Sequence, residues 1–239
     1  MHSGILFSLG PMDEWEKFIE RLAEDLHEQI ARHKLASDAV RMIGLLFARP
    51  QSALAKAEIL PNMGYFHVRS AEFISIFCAG YSDRQPWDDC EEVADLKGKQ
   101  WKFSNYGFDR IRQRLETCSK WRYSGGVQLM LTNAKLFGEF DALLDFSSVI
   151  CADFDEMKRV GAIASVESFF EALCRFSEEP DQLNPTWAFS DRLGARIAGS
   201  ALKSFVLSLL PKSLGADVQK AAHFAVVDIS KESGWVSLH

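Results

Sequence analysis

Apolar and polar residues alternate along the segment LLDFSSVICADF, residues 143–154. Successive side chains of a β-strand point to opposite faces, so this alternation separates the two kinds of residue. One face carries Leu144, Phe146, Ile150 and Phe154. The other carries Asp145, Ser147 and Asp153. The pattern predicts a strand buried on one face and polar on the other, so the fold must contain a sheet.

Other short segments are rich in aromatic and β-branched residues, as strands are. They are YFHVRS, FISIFCAGY, QWKFS, VQLMLT, HFAVVDIS and GWVSL. The first two follow the turn sequence PNMG and predict a hairpin, with Phe66 and Val68 on one face of its first strand and a central second strand. We therefore expect the sheet to contain Phe73 to Tyr81, Val127 to Thr132 and Leu144 to Ile150.

The helical pattern is clearest near the N-terminus, where Asp13 and Glu16 form a capping box before an apolar stripe. The stripe comprises Trp15, Phe18, Ile19, Leu22, Leu26 and Ile30. A second helix is predicted to begin at a Ser37 cap and to end before Pro50. Further helices are predicted at 105–120 with Asn105 as cap, after a Ser165 cap, at 191–211 and at 217–222.

Together these segments predict an α+β fold, with a single globular domain in which helices flank a mixed β-sheet. We expect residues 1–60 to form a helical N-terminal segment packed on an α+β core of residues 61–239. The chain has 239 residues, of which 47% are hydrophobic, including 18 Phe and 6 Trp. A chain of this composition can bury a sizeable core and is not intrinsically disordered.

Several classes of protein are disfavoured. No segment reaches the roughly 18 apolar residues of a membrane span, and the first ten residues lack the basic region of a signal peptide. The five cysteines are scattered, without a CxxC pair or a histidine at metal-ligand spacing, which favours reduced buried thiols. The sequence thus predicts a cytoplasmic protein with no cofactor, no metal and no membrane contact.

Two glycine motifs suggest catalysis, but each lacks a required part. Before Ser124-Gly125-Gly126, Arg122 stands where a nucleophile elbow needs glycine, and a strand follows where a phosphate cradle needs a helix. We predict a turn whose glycines end the preceding helix. Gly194 to Gly199 has P-loop spacing, but Ser200 replaces the phosphate-binding lysine, so these glycines are interpreted as helix-packing positions.

Carboxylates and histidines also give no complete site. Asp153 with Asp155, or Glu139 with Asp141, could hold a metal or perform acid–base chemistry, but charged residues flanking strands more often form solvated faces. The six histidines show no triad or metal spacing. The carboxylates and histidines therefore leave enzymatic activity uncertain, and the lack of a complete motif favours a protein that is not an enzyme.

One arrangement keeps an enzymatic alternative open. Between Tyr65 and Thr132, a hairpin ending at Asp83, a strand with Gln100-Trp101-Lys102, a helix and another strand are predicted in turn. This order is similar to the core of the PD-(D/E)xK nuclease superfamily. The resemblance implies a metal-dependent hydrolase in which Asp83, Gln100 and Lys102 hold a divalent metal and orient water.

Charge is distributed unevenly along the chain. Residues 97–122 hold eight basic and two acidic residues, a net charge of +6, whereas the rest holds 19 basic and 31 acidic residues, a net charge of −12. Arg110 and Arg114 lie one predicted helical turn apart, and with Lys99 and Lys102 they predict a positive binding surface. An alternative of equal weight is that the two arginines form ion pairs within the molecule, with the acidic segments at residues 88–95 or 139–155.

The positive surface supports the leading hypothesis. The chain is interpreted as a non-catalytic cytoplasmic protein that binds another protein through this electrostatic surface, as an accessory, adaptor or immunity and defence component does. Its partner is expected to be an acidic protein or a phosphate group. Nucleic-acid binding, if any, is confined to the basic segment 97–122, because the remainder of the chain is acidic.

Overall fold

The computed structural model describes residues 6–7, 14–70, 74–83, 89–96, 98–138, 141–178, 184–192, 222–232 and 234–237. The strands in these residues are β1 (Leu6–Phe7), β2 (Arg41–Phe47), β3 (Ser75–Cys78), β4 (Tyr81–Ser82), β5 (Glu91–Leu96), β6 (Lys99–Phe103), β7 (Gln128–Leu136), β8 (Ala142–Asp153), β9 (Val226–Val227) and β10 (Trp235–Ser237). The α-helices are α1 (Glu14–His33), α2 (Met63–Ser70), α3 (Asn105–Cys118), α4 (Phe154–Arg159), α5 (Val166–Ser177) and α6 (Pro185–Arg192). A π-helical turn (Ala55–Ile59) and a 3₁₀ turn (Leu60–Asn62) lead into α2.

Within the described residues, the largest sheet has seven strands in the order β1-β3-β2-β7-β8-β10, with β9 also paired to β8. Strands β1, β2 and β3 are parallel, and the remaining pairs are antiparallel. Helix α2 connects β2 to its parallel neighbour β3, and β1 is connected to its parallel neighbour β3 through α1, β2 and α2, because parallel neighbours need a crossover connection. A smaller antiparallel sheet has the order β4-β6-β5.

Helices cover both faces of the large sheet. On one face, Phe18 of α1 packs edge-on against Phe77, with ring centroids 5.0 Å apart. Phe108 of α3 packs similarly against Phe47, which the strand register places on the same face as Phe77. On the other face, Thr186 of α6 donates to the side chain of Asn133. The protein is therefore a single compact α+β domain with a mixed sheet, which confirms the predicted fold class.

Most strand predictions are confirmed. Strand β3 lies within the predicted segment 73–81, β7 begins within 127–132 and β8 contains 144–150. The predictions for QWKFS, HFAVVDIS and GWVSL correspond to β6, β9 and β10. Helices α1, α3 and α5 also occur where the apolar stripes predicted them, and Ser165 forms a capping box with Ser168 at the start of α5.

The predicted helix from Ser37 to Pro50 is wrong, because this segment forms β2 between β3 and β7. Residues Met42 to Phe47 are all buried. A strand that is covered on both faces reads as a continuous apolar run, and such a run cannot be distinguished from a buried helix by periodicity. The N-terminal segment therefore contributes a strand to the sheet. The predicted division near residue 60 stays a prediction.

The predicted strand YFHVRS is also wrong, and with it the hairpin, because these residues belong to α2. Phe66 is 2% exposed and stacks on Phe170 of α5, with ring centroids 4.2 Å apart, whereas Val68 is 56% exposed. The two residues therefore do not share a face. Aromatic and β-branched residues favour strands only weakly, and packing against α5 overrides that preference here.

The polar face of β8 is less exposed than its alternation predicted. Asp145 is 4% exposed and accepts hydrogen bonds from the backbone and hydroxyl of Ser147 and, at 3.5 Å, from the side chain of Asn133. Asn133 in turn accepts from the backbone and hydroxyl of Thr186 at the start of α6. Polar side chains can be buried here because they bond to one another rather than to water.

Some predictions fall outside the described residues. They are the Asp13 cap, the Glu139 carboxylate, the glycines Gly194 to Gly199, the helix at 191–211 beyond Arg192 and most of the helix at 217–222. Among the residues that are described, no helix is both long and apolar enough to cross a membrane.

Candidate functional site

Helix α3 carries the two arginines of the predicted positive surface, and its first turn is held in place by the two sheets. Ser104 donates its backbone N–H to the carbonyl of Gly80, at 2.9 Å, and its hydroxyl accepts from the N–H of Gly107. The carboxylate of Asp89 accepts from the Ser104 hydroxyl and from the N–H of Tyr106. Ser104 is therefore the N-cap, and the predicted Asn105 cap is wrong by one residue.

The inner side of α3 packs on the end of β2. Its buried residues are Gly107, Phe108, Ile111 and Leu115. The ring of Phe108 lies between Phe47 and Tyr123, at centroid distances of 5.9 and 5.3 Å. This aromatic contact fixes the rotation of the helix about its axis and so decides which residues face solvent.

One flank of α3 carries the acidic residues of the helix, and these pair within the molecule. Asp109 accepts from Arg49, at 2.9 Å, and from Arg112, at 3.0 Å. Arg112 also pairs with Glu116, at 2.7 Å. The Arg49 guanidinium lies 4.3 Å from the centroid of the Phe108 ring. These partly exposed pairs form a connected network that ties α3 to the end of β2.

The outer side of α3 differs in charge from the flank. Apart from Asn105 at its first position, its exposed residues are Tyr106, Arg110, Gln113, Arg114 and Thr117. Tyr106 is 57% exposed. None of these five residues is acidic, although the helix contains Asp109 and Glu116. We call these five residues the outer face of α3, and they present two cations and one aromatic ring to solvent.

The two predicted lysines lie on β6 and do not share a face. Residues 99, 101 and 103 project to one side of a strand, and residues 100 and 102 to the other. Lys99 is exposed and pairs with Asp83 at 3.1 Å, whereas Lys102 is partly buried opposite Ser82 in the strand register. The structure thus places Arg110 and Arg114 on one surface, and at most one of the two lysines can share it.

The residues of the nuclease-like alternative are near one another in the small sheet but alternate in direction. Ser82 is the register partner of Lys102, so continued alternation directs Asp83 to the opposite side from Lys102, with Lys99. Gln100 projects to the side of Lys102. The described residues contain no group of three or more His, Cys, Asp or Glu side chains positioned to hold a metal ion. No observation here favours the hydrolase alternative.

The segment Ser124-Gly125-Gly126 forms a turn, with Gly125 at a φ of +96°. The Ser124 hydroxyl donates to Asp153 at 2.8 Å, and Asp155 accepts from the N–H of Val127 at 2.7 Å. Asp153 also caps α4. These two carboxylates therefore stabilise the turn and the adjacent helix. The predicted helix-ending role of the glycines is wrong, because α3 already ends at Cys118 with Ser119 as its C-cap.

A buried polar cluster under α1 was not predicted. Asp25 is 3% exposed, and one carboxylate oxygen accepts from the Ser75 hydroxyl and from the Gln29 amide. Its other oxygen has no hydrogen-bond partner among the described residues. Arg41 donates to the side-chain oxygen of Gln29, at 3.1 Å. Burial raises the pKa of Asp25 to about 6, and the hydrogen bonds from Ser75 and Gln29 lower it only in part.

Both overlooked features have a signal in the sequence. Tyr106 precedes Arg110 by four residues, so it shares the helix face on which the two arginines were predicted. Asp25 and Gln29 follow Leu22 by three and seven residues, which are positions on the apolar stripe of α1. A polar residue on such a stripe indicates a buried hydrogen-bonded group rather than a solvent-exposed one.

The chain has no match among protein-family models, curated proteins or solved structures. Function is therefore inferred from the geometry of the chain itself.

Proposed function

We propose that the protein is a non-catalytic protein-binding component that acts through the outer face of α3. The observation that carries this proposal is the distribution of charge around the helix, with Asp109 and Glu116 on one flank and the exposed Arg110 and Arg114 with Tyr106 on the outer face. Tyr and Arg are enriched in protein interfaces and in their energetic hot spots. An accessory, adaptor or defence role in the cytoplasm is part of the same proposal.

Charge favours a protein partner over nucleic acid. The chain has a net charge of −6, and outside residues 97–122 the net charge is −12. Such a surface repels the continuous negative charge of a nucleic-acid backbone, whereas an acidic protein segment can contact the small positive face alone. Complementary charge of this kind mainly steers association and selects the partner.

Reversing both charges, Arg110→Glu with Arg114→Glu, is expected to weaken partner binding at least tenfold and to leave folding stability nearly unchanged. Exposed ion pairs contribute at most about 1 kcal/mol each, so the stability change should be small. Binding should also weaken as salt is added, because exposed charges are screened over about 10 Å at 0.1 M salt. Quantitative affinity capture with the tagged protein at two salt concentrations measures the first effect, and thermal unfolding measures the second.

The matched control is Arg159→Glu with Arg175→Glu, which changes net charge equally at two other exposed helical arginines. Partners retained by the wild type and by this control, but lost from the α3 variant, support the proposal. If the α3 variant instead unfolds several degrees earlier and retains every partner, the two arginines stabilise the fold and the proposed surface does not exist.

A further inference from the structure

Tyr106 lies on the outer face of α3, one helical turn before Arg110. Its ring is exposed, but its backbone is fixed, since its N–H donates to the Asp89 carboxylate at 3.1 Å in the first turn of the helix. A tyrosine held in this way loses little conformational freedom on binding, because its side chain has only two rotatable angles. It therefore provides a rigid apolar contact beside the two charges.

The spacing of the three side chains limits what can bind. Tyr106, Arg110 and Arg114 occupy successive turns, and Cβ atoms separated by four residues of a helix lie about 6 Å apart. A complementary ligand must offer two carboxylates at a similar separation and an apolar group next to the first of them. A helical segment with two glutamates four residues apart and a leucine one turn further has this arrangement.

Resting on the proposed function, we propose that α3 binds an acidic helical segment of its partner protein, with an apolar side chain packed on Tyr106. Carboxylates of the segment pair with Arg110 and Arg114, whose planar guanidinium groups suit two-point contact with carboxylates. The apolar contact with Tyr106 supplies desolvation, and so strengthens the binding of the segment beyond what the exposed charges provide.

An aromatic ring with two arginines also suits a single-stranded nucleic acid, which stacks bases on rings and places phosphates on cations. Here the chain outside residues 97–122 has a net charge of −12. That charge opposes a long polyanion that runs past the helix onto the rest of the surface, whereas a short acidic segment contacts the outer face alone. The observations therefore favour the acidic peptide segment, and nucleic acid becomes an outcome of the test.

Two fluorescent synthetic peptides of Ala-rich helical sequence serve as probes. Both carry two glutamates four residues apart, and one has Leu, the other Ala, four residues from the nearer glutamate. Fluorescence anisotropy is measured for wild type, Tyr106→Ala, Tyr106→Phe and the Arg110→Glu, Arg114→Glu variant. We expect Tyr106→Ala to weaken binding of the Leu peptide about tenfold and of the Ala peptide less than twofold, with Tyr106→Phe close to wild type.

Each result has a separate meaning. Equal effects of Tyr106→Ala on the two peptides, or no effect on either, would overturn the apolar contact while leaving an arginine-dependent surface in place. No binding of either peptide to the wild type at millimolar concentration would overturn the helical acidic segment as partner. Peptide binding that is unchanged in the Arg110→Glu, Arg114→Glu variant would contradict the proposed function itself. Tighter, arginine-dependent binding of fluorescent oligothymidine would assign the face to nucleic acid.

Discussion

Wild-type protein is expected to lose about 2 kcal/mol of stability between pH 4 and pH 7 that the Asp25→Asn variant does not lose. Burial raises the pKa of Asp25 from 3.8 to about 6 in the folded state. Between these values the folded state binds more protons than the unfolded state, so the free energy of unfolding falls as pH rises. The contribution is fully present below the unfolded pKa and is lost as pH passes the folded value.

The structure explains why ionisation is unfavourable at this position. Neutral groups, Ser75 and Gln29, donate to one oxygen of Asp25, and the other oxygen has no partner among the described residues. A buried carboxylate without a paired cation keeps most of its desolvation cost. Asparagine has a similar shape but does not ionise, so the free-energy cost of burying it does not change with pH.

Urea denaturation at several pH values from 4 to 8 measures this difference. Other carboxylates titrate over part of the same range, so the informative quantity is the difference between the two curves rather than either curve alone. Glu24→Gln on the exposed side of α1 removes one negative charge without altering the buried cluster, and serves as the control. Parallel curves for wild type and Asp25→Asn would show that Asp25 does not titrate as its surroundings indicate.

Gly80→Ala is expected to destabilise the protein by about 3 kcal/mol and to weaken binding at α3. Gly80 has a φ of +80°, which costs other residues about 1 to 2 kcal/mol. An added Cβ would also lie 2.7 Å from the Ser104 carbonyl oxygen and 2.9 Å from the side chains of Phe103 and Phe108. A backbone group cannot move aside as a flexible side chain does, so the start of α3 must shift.

The Gly98→Ala variant separates the two causes of the expected destabilisation at Gly80, which are the positive φ and the close contacts of the added Cβ. Gly98 has a similar φ of +76°, but no atom lies within 4 Å of its added Cβ among the described residues. This variant should lose only the conformational part, about 1 kcal/mol. Chemical denaturation of both variants measures the difference. Equal losses would mean that the contact between Gly80 and the start of α3 is not tight, and that Gly80 does not position the helix.

The periodicity of apolar residues was sufficient to predict a helix or strand where one side of that element faces water. Helix α1 and helix α3 each have a stripe that follows directly from the geometry of the backbone, and the alternation of β8 correctly predicted a strand although Asp145 on its polar face is buried. Periodicity failed at β2, where Met42 to Phe47 are all buried and no polar positions mark a period. It also failed at Tyr65 to Ser70, where a short aromatic segment has its conformation decided by α5.

The candidate site shows the same division. Arg110 and Arg114 could be placed on one helix face from their spacing, and Tyr106 follows the same rule. Lys99 and Lys102 were grouped with them, but alternation along β6 directs the two lysines to opposite sides. Their different surroundings depend on the pairing of β6 with β4 and β5, which residues far apart in sequence decide.

The sequence by itself determined the α+β class, the helix face that carries the two arginines and the turn at Gly125, because these depend on local geometry and spacing. Only the tertiary structure decided that β2 lies inside the sheet, that Arg49 pairs with Asp109 of α3, and that one oxygen of the buried Asp25 has no hydrogen-bond partner among the described residues. Burial and charge pairing depend on which distant segments meet, and that information is not contained in any one segment.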